Sequence, residues 1–381
     1  MTTTTAVQFR THTNLRQRLV LATLAGTALH VTQIRSGALT PGLSASEVSL
    51  LRLLDAVTDG TQIDISVTGT SLVFRPGLLA GAGSGGVPLT HELPAGGDRA
   101  VTYYLEALAQ LAPFCRRVLS VRLTGGVVTA ATTRDPSVDA FRAGLAPAAE
   151  LRIVRRSAAV PGGGEVVFVH TGQTRVAPTL HLLAPGRVRR IRGVAYAVGV
   201  SAACNARAIA AARGVFNRFI PDVHVSSDVG RAPVVPASAG SGSGSGSART
   251  TKVGVGFGIC LVAETGTGCR YVADATAAPA EPAEAVGLRA AWTLLEEIAV
   301  GGCVARAALP AVLAAMVMGA EGDVGRVVLG RAAVDERLVA ALRDVKRLVG
   351  TEAALRDGPS DATVLMSVVG RGLGNLSRKL A

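Results

Sequence analysis

One supersecondary pattern recurs along the chain, and this recurrence restricts the possible folds more than any other feature. Hydrophobic periodicity from Ala6 to Arg75 predicts two strand–helix pairs followed by two strands, in the order βαβαββ. The same order follows from Val87 to His170. A third copy begins with a strand at Arg175–Leu183 and, after an interruption, ends with a strand at Thr363–Val369. Because one such unit is too small to bury its apolar face alone, the sequence predicts an α/β (α+β) fold in which three βαβαββ repeats form a pseudo-threefold body.

The interruption of the third copy has strands and a helix of its own, which predicts a small α/β domain inserted into that repeat. We expect the third repeat to resume with helices at Pro282–Val300 and Arg306–Met318. Residues 236–250 are rich in Gly and Ser and have no capacity to pack, so we expect a flexible loop between two strands of the insert. The expected domains are residues 1–184 (the first two repeats and the start of the third), 185–283 (the insert) and 284–381 (the rest of the third repeat).

The chain is strongly basic, since 39 Lys and Arg residues against 27 Asp and Glu residues give a net charge of +12. Only three of these cations are lysines, and arginine is the side chain suited to bidentate contacts with phosphate. A sequence rich in Ala, Gly and Arg is explained equally well by genome base composition. The excess of Arg over Lys therefore decides nothing, whereas the net charge itself indicates an acidic partner such as RNA.

The cysteine and histidine patterns argue against several kinds of site. Five cysteines without a C-x-x-C spacing predict neither a zinc site nor a disulfide framework, and they favour a reducing compartment. No histidine pair has metal-binding spacing, and none of the six histidines lies beyond His224. The N-terminus lacks a secretory pattern, and no uncharged stretch reaches the roughly 18 residues that cross a bilayer. We expect a soluble intracellular protein with no metal, no cofactor and no membrane association.

The sharpest binding signal is a row of four arginines within six residues: Arg187, Arg189, Arg190 and Arg192. We expect the intervening Val188 and Ile191 to pack inward while the guanidinium groups face solvent and contact successive phosphates or an acidic partner. The alternative is a solvated strand face with unpaired charge. The next acid along the chain, Asp222, lies some distance away, which makes this alternative less favourable.

A glycine triplet, Gly162–Gly164, is a second candidate for phosphate binding, because successive backbone N–H groups can cradle an anion. It is not a P-loop, since no Gly-Lys-Ser/Thr follows it. A tight β-turn is the alternative explanation.

A second basic surface is predicted on the helix around Arg343. At 100° per residue the apolar positions of this helix fall within about 80° of each other; they are Val334, Leu338, Leu342 and Val345. Arg343 lies about 180° from Val334, Lys346 and Arg347 lie within about 60° of Arg343, and Asp344 falls at the edge of the same face. This pattern predicts an exposed basic face. The alternative is an ordinary solvated amphipathic helix with an Asp344–Arg347 pair.

Longer blocks of sequence point to one family. They are Asn14–Leu21, Pro41–Leu43, Glu47–Leu54, Tyr103–Glu106, Leu111–Phe114, Pro136–Asp139, Pro161–Glu165, Pro185–Tyr196, Ala212–Asp222, Leu294–Ile298, Gly301–Val304 and Gly374–Lys379. With these blocks the chain resembles the RNA 3′-terminal phosphate cyclase superfamily nearly end to end, and specifically its cyclase-like branch.

The positions where true cyclases carry their chemistry are altered here. By position, Arg337 or a neighbour replaces the histidine nucleophile of the last repeat, and Phe9–Thr13 replaces a glycine-rich run with acidic and amide ends. Ser46-Glu47 replaces Gln-His, and Ala308-Leu309 replaces Asp-Gln. A guanidinium cannot act as the nucleophile of adenylylation, so the resemblance implies a protein without cyclase activity.

The cyclase-like branch implies a nucleolar factor of the small-subunit processome, bound to a GTPase assembly factor and needed for early cleavages of the small-subunit rRNA precursor. Such a protein would act as a monomer within a large ribonucleoprotein. A proposal for the branch is that it cuts the precursor itself, through a set that matches Arg343, Asp344 and Lys346. From the residues alone, three alternatives remain: a binding factor, an endonuclease, and a residual nucleotide-binding cyclase. The candidate contacts of the binding factor are Arg187, Arg189, Arg190, Arg192, Arg343, Lys346 and Arg347.

Overall fold

The computed structural model describes residues 6–83, 86–144, 148–172, 174, 176–236 and 250–373. The first repeat contains β1 (Val7–Phe9), α1 (Leu15–Ala25), β2 (Leu29–Val31), α2 (Ala45–Val57), β3 (Thr58–Asp59), β4 (Gln62–Ile65), β5 (Leu72–Arg75) and β6 (Leu78–Leu79). Its main sheet has the order β1-β2-β5-β4, with β1 and β2 parallel and the other pairs antiparallel. Helix α2 begins at a capping box between Ser44 and Glu47, and its Leu50, Leu53 and Leu54 are fully buried.

The second repeat has the same order of elements. It contains β7 (Leu89–Leu93), α3 (Thr102–Leu111), β8 (Leu119–Gly125), α4 (Val138–Ala143), β9 (Ala149–Arg155) and β10 (Glu165–His170). Its sheet order, β7-β8-β10-β9, repeats that of the first sheet, again with only the first pair parallel.

The third repeat encloses the insert. In chain order the elements are β11 (His181–Leu182), β12 (Val188–Val198), α5 (Ala203–Phe216), β13 (Val223–Gly230), β14 (Val234–Pro236), β15 (Thr250–Lys252), β16 (Gly256–Thr265), β17 (Arg270–Thr276), α6 (Ala283–Val300), α7 (Leu309–Val317), β18 (Val324–Gly330), α8 (Glu336–Val349), β19 (Ala353–Asp357) and β20 (Thr363–Val369). The third sheet has the order β11-β18-β20-β19, so the predicted recurrence is confirmed. Its first strand is shorter than predicted, with only two residues paired to β18.

The three repeats share one core. Leu19 of α1, Leu108 of α3 and Leu313 of α7 belong to the same buried cluster, although they come from three different repeats. Helix α1 packs against α3 and α8, and α3 packs against α7. The helices therefore join the repeats, and α1 brings the start of the chain against α8.

The insert is a four-stranded sheet of order β13-β12-β16-β17, with α5 and α6 packed together on one face. Our sequence interpretation assigned the helix at Pro282–Val300 to the third repeat. In the structure, Val286, Ala290 and Leu294 of this helix pack in the core of the insert with Ile191 and Ile259. The order of the repeats explains this placement, because each repeat holds two helices and α7 and α8 already fill both places. We therefore propose that the insert ends near residue 300 rather than at 283.

The other face of the insert sheet is docked on the second repeat. Asp274 of β17 accepts hydrogen bonds from the backbone N–H of Ser137 at 2.9 Å and from its hydroxyl at 2.7 Å. Arg156 donates both to Asp139 of the second repeat, at 2.6 Å, and to Asp228 of the insert, at 2.5 Å. The insert is thus held to the second repeat by part-buried and exposed polar contacts as well as by apolar packing.

The predicted flexible loop and the last of the family blocks lie largely among residues that the structure does not describe. Most of the Gly/Ser tract, residues 237–249, lies outside the described residues, as does the C-terminal block 374–381. The flanking strands β14 and β15 pair with each other, with Val234 opposite Lys252. Within the described part of the chain, no helix has both the length and the apolar character needed to cross a membrane.

Candidate polyanion interface

A cleft of about 720 Å³ separates the segment before α1 from the outer side of α8. We call it the basic cleft; it is lined by Thr11, Thr13, Arg18, Ala340, Arg343, Asp344, Lys346 and Arg347. Four of these side chains are cations and one is an acid. The cleft therefore combines residues that lie more than 300 positions apart, and its lining is strongly positive.

Asp344 is buried at the base of the basic cleft and forms an ion pair with Arg18. The Arg18 Nε donates to Oδ2 of Asp344 at 2.8 Å and Nη2 donates to Oδ1 at 3.0 Å, while each side chain is only 7% exposed. Asn14 Nδ2 also donates to Oδ2, at 3.3 Å. The alternative of an Asp344–Arg347 pair is therefore wrong, and so is the placement of Asp344 on the exposed face. Helix α1 covers that edge of α8, which a single-helix projection cannot show.

The three cations of the same helix remain at the surface. Arg343, Lys346 and Arg347 are exposed, and Lys346 forms a solvent-exposed ion pair with Glu352 at 2.6 Å. Among the described residues, neither Arg343 nor Arg347 has an acidic partner within ion-pair distance. Lys346 and Arg347 lie in the last turn of α8, where the helix dipole favours positive charge.

Phe9 lies between two guanidinium groups at the edge of the cleft. Its ring centroid is 4.1 Å from the Cζ of Arg18 and 5.7 Å from that of Arg347. These cation–π contacts hold Arg347 toward the segment before α1. Our sequence reasoning did not identify Phe9, Thr11, Thr13 or Arg18 as site residues. The one sequence signal for Phe9, Thr11 and Thr13 was their position at the glycine-rich run of true cyclases. Arg18 lies in the family block Asn14–Leu21.

This arrangement can bind an anion but has few groups for bond cleavage. The only carboxylate in the lining, Asp344, has both oxygens engaged, and no histidine belongs to the lining. In the part of the chain that the structure describes, no three His, Cys, Asp or Glu side chains are placed to hold a metal ion. General acid–base catalysis needs a free proton acceptor near the scissile bond, which Asp344 is not in this conformation.

The arginine row does not present four free cations. Arg190 Nε donates to Glu264 on the neighbouring strand at 2.5 Å, and Arg192 donates to both carboxylate oxygens of Asp222 at 2.7 and 2.8 Å. The Arg192 guanidinium holds the pKa of Asp222 below its ordinary value. Our expectation that acids lie some distance away is therefore wrong. Strand pairing brings Glu264 beside the row, and the loop before β13 brings Asp222 there.

The remaining two arginines of the row stay exposed. Val188 and Ile191 both pack into the insert core, as expected, although a spacing of three would place them on opposite faces of a regular strand. A β-bulge between Val188 and Arg190 resolves this conflict. The bulge leaves Arg189 exposed, and neither Arg187 nor Arg189 has an ion-pair partner among the described residues.

The glycine triplet is a packing junction rather than a phosphate cradle. The N–H groups of Gly162, Gly163 and Gly164 donate to the carbonyls of Ala159, Gly125 and Val127 at 3.0 Å each. No N–H group of the triplet is left to bind an anion. At Gly162 (φ 95°), an added Cβ would lie 2.4 Å from the backbone carbon of Gly126, so close backbone approach explains the glycine.

Of the altered cyclase positions, Ser46 and Glu47 have structural roles. Glu47 caps α2 and pairs with Arg35, while Ser46 donates to Asp98 at 3.0 Å. Arg337 is exposed on the first turn of α8. Burial, followed by the charge of Arg35, lowers the pKa of His12 in the segment before α1. The lowered pKa favours the neutral form of His12 beside the cleft.

The chain is similar in sequence to known proteins of one family. Residues 7–355 match the protein family described as RNA 3′-terminal phosphate cyclase. The rRNA processing protein rcl1 of Schizosaccharomyces pombe is 37% identical, with 96% of each chain covered. The rRNA processing protein RCL1 of Saccharomyces cerevisiae is 34% identical, over 98% of this chain and 97% of the yeast protein. The human RNA 3′-terminal phosphate cyclase-like protein is 36% identical, over 96% of each chain. The chain therefore belongs to the RNA 3′-terminal phosphate cyclase family, as a cyclase-like member of it.

Proposed function

We propose that this protein is an rRNA-processing factor that binds acidic partners through the basic cleft and does not catalyse cyclisation. One observation supports this most directly. Arg343, Lys346 and Arg347 are exposed around the cleft, while the neighbouring Asp344 is buried and neutralised by Arg18. Among the described residues, the cleft therefore leaves Arg343 and Arg347 without an acidic partner and removes its only acid from solvent. The names of the yeast relatives supply the process, rRNA processing.

The finer role that we propose is assembly of the small-subunit processome in the nucleolus. There the protein, as a monomer, would join a GTPase assembly factor and the small-subunit rRNA precursor, and early cleavages of that precursor would require it. An acidic segment of the GTPase and the phosphates of RNA are both suited to the cations of the basic cleft and to Arg187 and Arg189.

The test compares two sets of charge removals in the purified full-length protein. One variant carries Arg343→Ala, Lys346→Ala and Arg347→Ala. The control removes the same charge at exposed positions outside the cleft, with Arg52→Ala, Arg152→Ala and Arg356→Ala. Fluorescence anisotropy with a labelled fragment of the small-subunit rRNA precursor gives affinity as a function of salt, and copurification gives binding to the GTPase.

We expect the cleft variant to lose affinity for RNA or for the GTPase, whereas the control retains both. If RNA occupies the cleft, three lost phosphate contacts lower the slope of log affinity against log salt by roughly 2. If the GTPase occupies it, copurification fails and the RNA slope stays unchanged. Two variants that behave alike in both assays would contradict the proposal.

The endonuclease alternative requires a catalytic group in the basic cleft. It needs Asp344 to leave Arg18 and accept a proton, so Asp344→Asn would abolish cleavage of the precursor by the purified protein. Specific cleavage by the wild-type protein, lost in that variant while the fold is retained, would replace our proposal.

A further inference from the structure

The insert exposes an unusual apolar surface on its helical side. All Phe, Trp and Tyr residues lie in the part of the chain that the structure describes, and among them only Phe219 and Trp292 are exposed, at 71% and 57%. Trp292 is also the only tryptophan. A chain with just 3% aromatic residues thus places its two exposed ones on the same small domain.

On α6 these exposed residues follow the period of a helix. Leu288, Trp292 and Leu295 lie at i, i+4 and i+7, within about 60° of each other at 100° per residue. Leu288 is 40% exposed and Leu295 is half-buried. The opposite side of α6 carries Val286, Ala290 and Leu294 into the core of the insert. Helix α6 therefore has a second apolar face, on which Leu288 and Trp292 are exposed. Leu295, at the border of this face, packs partly against the insert core.

The exposed face of α6 leads into a groove of about 430 Å³ at the end of α5. Its walls are mainly apolar and include Val188, Phe219, Ile220, Leu295 and Ile298. We call Leu288, Trp292 and these groove residues the insert groove. Apart from Phe219, these walls are aliphatic and offer nothing to hydrogen-bond a nucleotide base. They suit the leucine-type anchors of an amphipathic helix.

The charged side chains nearest the insert groove are mainly cations. Arg187 lines it, and Arg218 adjoins Phe219; neither has an ion-pair partner among the described residues. On α6 the exposed acid Glu296 lies about 80° from Leu288, on the side away from Ile298 and the groove. Glu284 lies about 40° from Leu288 on the other side, where its ion pair with Arg207 neutralises it. The groove side of the apolar face is therefore bordered by free cations, which selects an acidic occupant.

We propose that the insert groove docks an acidic amphipathic helix of a partner protein, by a surface separate from the basic cleft. Leucine-type side chains of that helix would fill the groove between Phe219 and Leu295 and pack along Trp292. Its carboxylates would contact Arg187 and Arg218. The two surfaces lie on different parts of the chain. The insert groove is formed by β12, α5, α6 and their adjoining loops, and the basic cleft by α8, α1 and the segment before α1, so one partner can occupy each.

The test uses the emission of Trp292, which reports on this surface alone because the chain has no other tryptophan. The full-length protein is titrated with a synthetic 18-residue helical peptide that carries leucines on one face and glutamates elsewhere. We expect a saturable blue shift as Trp292 leaves water. A matched peptide with lysines in place of the glutamates should bind at least roughly tenfold more weakly.

Matched variants localise the binding. Phe219→Ser and Leu288→Ser should each weaken the acidic peptide by roughly tenfold or more, as expected for truncated interface anchors, while Phe219→Leu retains most of the affinity. Both side chains are exposed, so circular dichroism and the melting temperature should stay unchanged. Equal binding of the two peptides, no response to the acidic peptide, or affinity unchanged by Phe219→Ser would overturn the proposal. So would a response only to a uridine 20-mer, or a concentration-dependent shift without additive, which would indicate RNA or a second copy of the chain as the occupant.

Discussion

Removing the carboxylate of Asp344 should destabilise the protein far more than removing the neighbouring cation. The Arg18–Asp344 pair is bidentate, 7% exposed on each side, and further bonded by Asn14. Taking away one partner of such a pair leaves an uncompensated buried charge, which costs about 3–5 kcal/mol. We therefore expect Asp344→Ala to lower the melting temperature by roughly 6–10 °C, at about 2 °C per kcal/mol for a large domain.

The controls isolate the ion pair. Arg343→Ala removes an exposed side chain of the same helix and should change stability by no more than about 0.5 kcal/mol. The double replacement Arg18→Met with Asp344→Leu should recover most of the loss, because an apolar pair of similar volume can replace a buried ion pair. Thermal and urea unfolding measure all four proteins.

Two results would refute this reasoning. One is an Asp344→Ala protein that melts within about 2 °C of the wild type. The other is additive losses of stability for Arg18→Ala and Asp344→Ala, since groups in one ion pair must show a coupling energy.

The structural role of Asp344 also affects how function is tested. A combined Arg343, Asp344 and Lys346 replacement mixes loss of stability with loss of binding, whereas the Arg343, Lys346 and Arg347 variant leaves Asp344 in place.

Three further predictions follow from other parts of the structure. Arg187→Ala with Arg190→Ala should weaken RNA or partner binding without lowering the melting temperature, because both side chains are exposed; a large drop in melting temperature would contradict it. Gly162→Ala should cost about 2 kcal/mol or more in urea unfolding, through positive φ and backbone overlap. Its control Gly60→Ala, at φ 80° with open space around it, should cost only about 1 kcal/mol. Burial lowers the pKa of His91 below 6.5, so the unfolded state binds more protons there as pH falls below 6.5, and stability falls with it. His91→Gln should flatten that part of the stability profile, and an unchanged profile would show that His91 does not contribute.

Local pattern was enough to predict most of the elements. Leu50, Leu53, Leu54 and Val57 define the buried side of α2 by spacing alone, and all four are fully buried. Alternation likewise placed β10 at Glu165–His170 and β20 at Thr363–Val369. Local pattern could not predict that α6 belongs to the insert, because a helix with two apolar faces does not reveal which face packs in which domain.

In the candidate site, the sequence predicted which charged side chains are exposed but not which of them are paired. Periodicity predicted that Arg343, Lys346 and Arg347 point away from the apolar side of α8, and they are exposed. It could not predict the partner of Asp344, because Arg18 is 326 residues away in sequence and meets it only through the packing of α1 on α8. Nor could it show that Glu264 and Asp222 neutralise half of the arginine row, since strand register brings Glu264 there and the loop before β13 brings Asp222.

By itself, the sequence determined the three repeats, the existence of the insert and the excess of positive charge, because hydrophobic period and composition are local properties of the chain. Only the tertiary structure decided which charges are free. An ion pair depends on distances between elements that are remote in sequence, and a charge acts on a partner only where no such neighbour has already neutralised it.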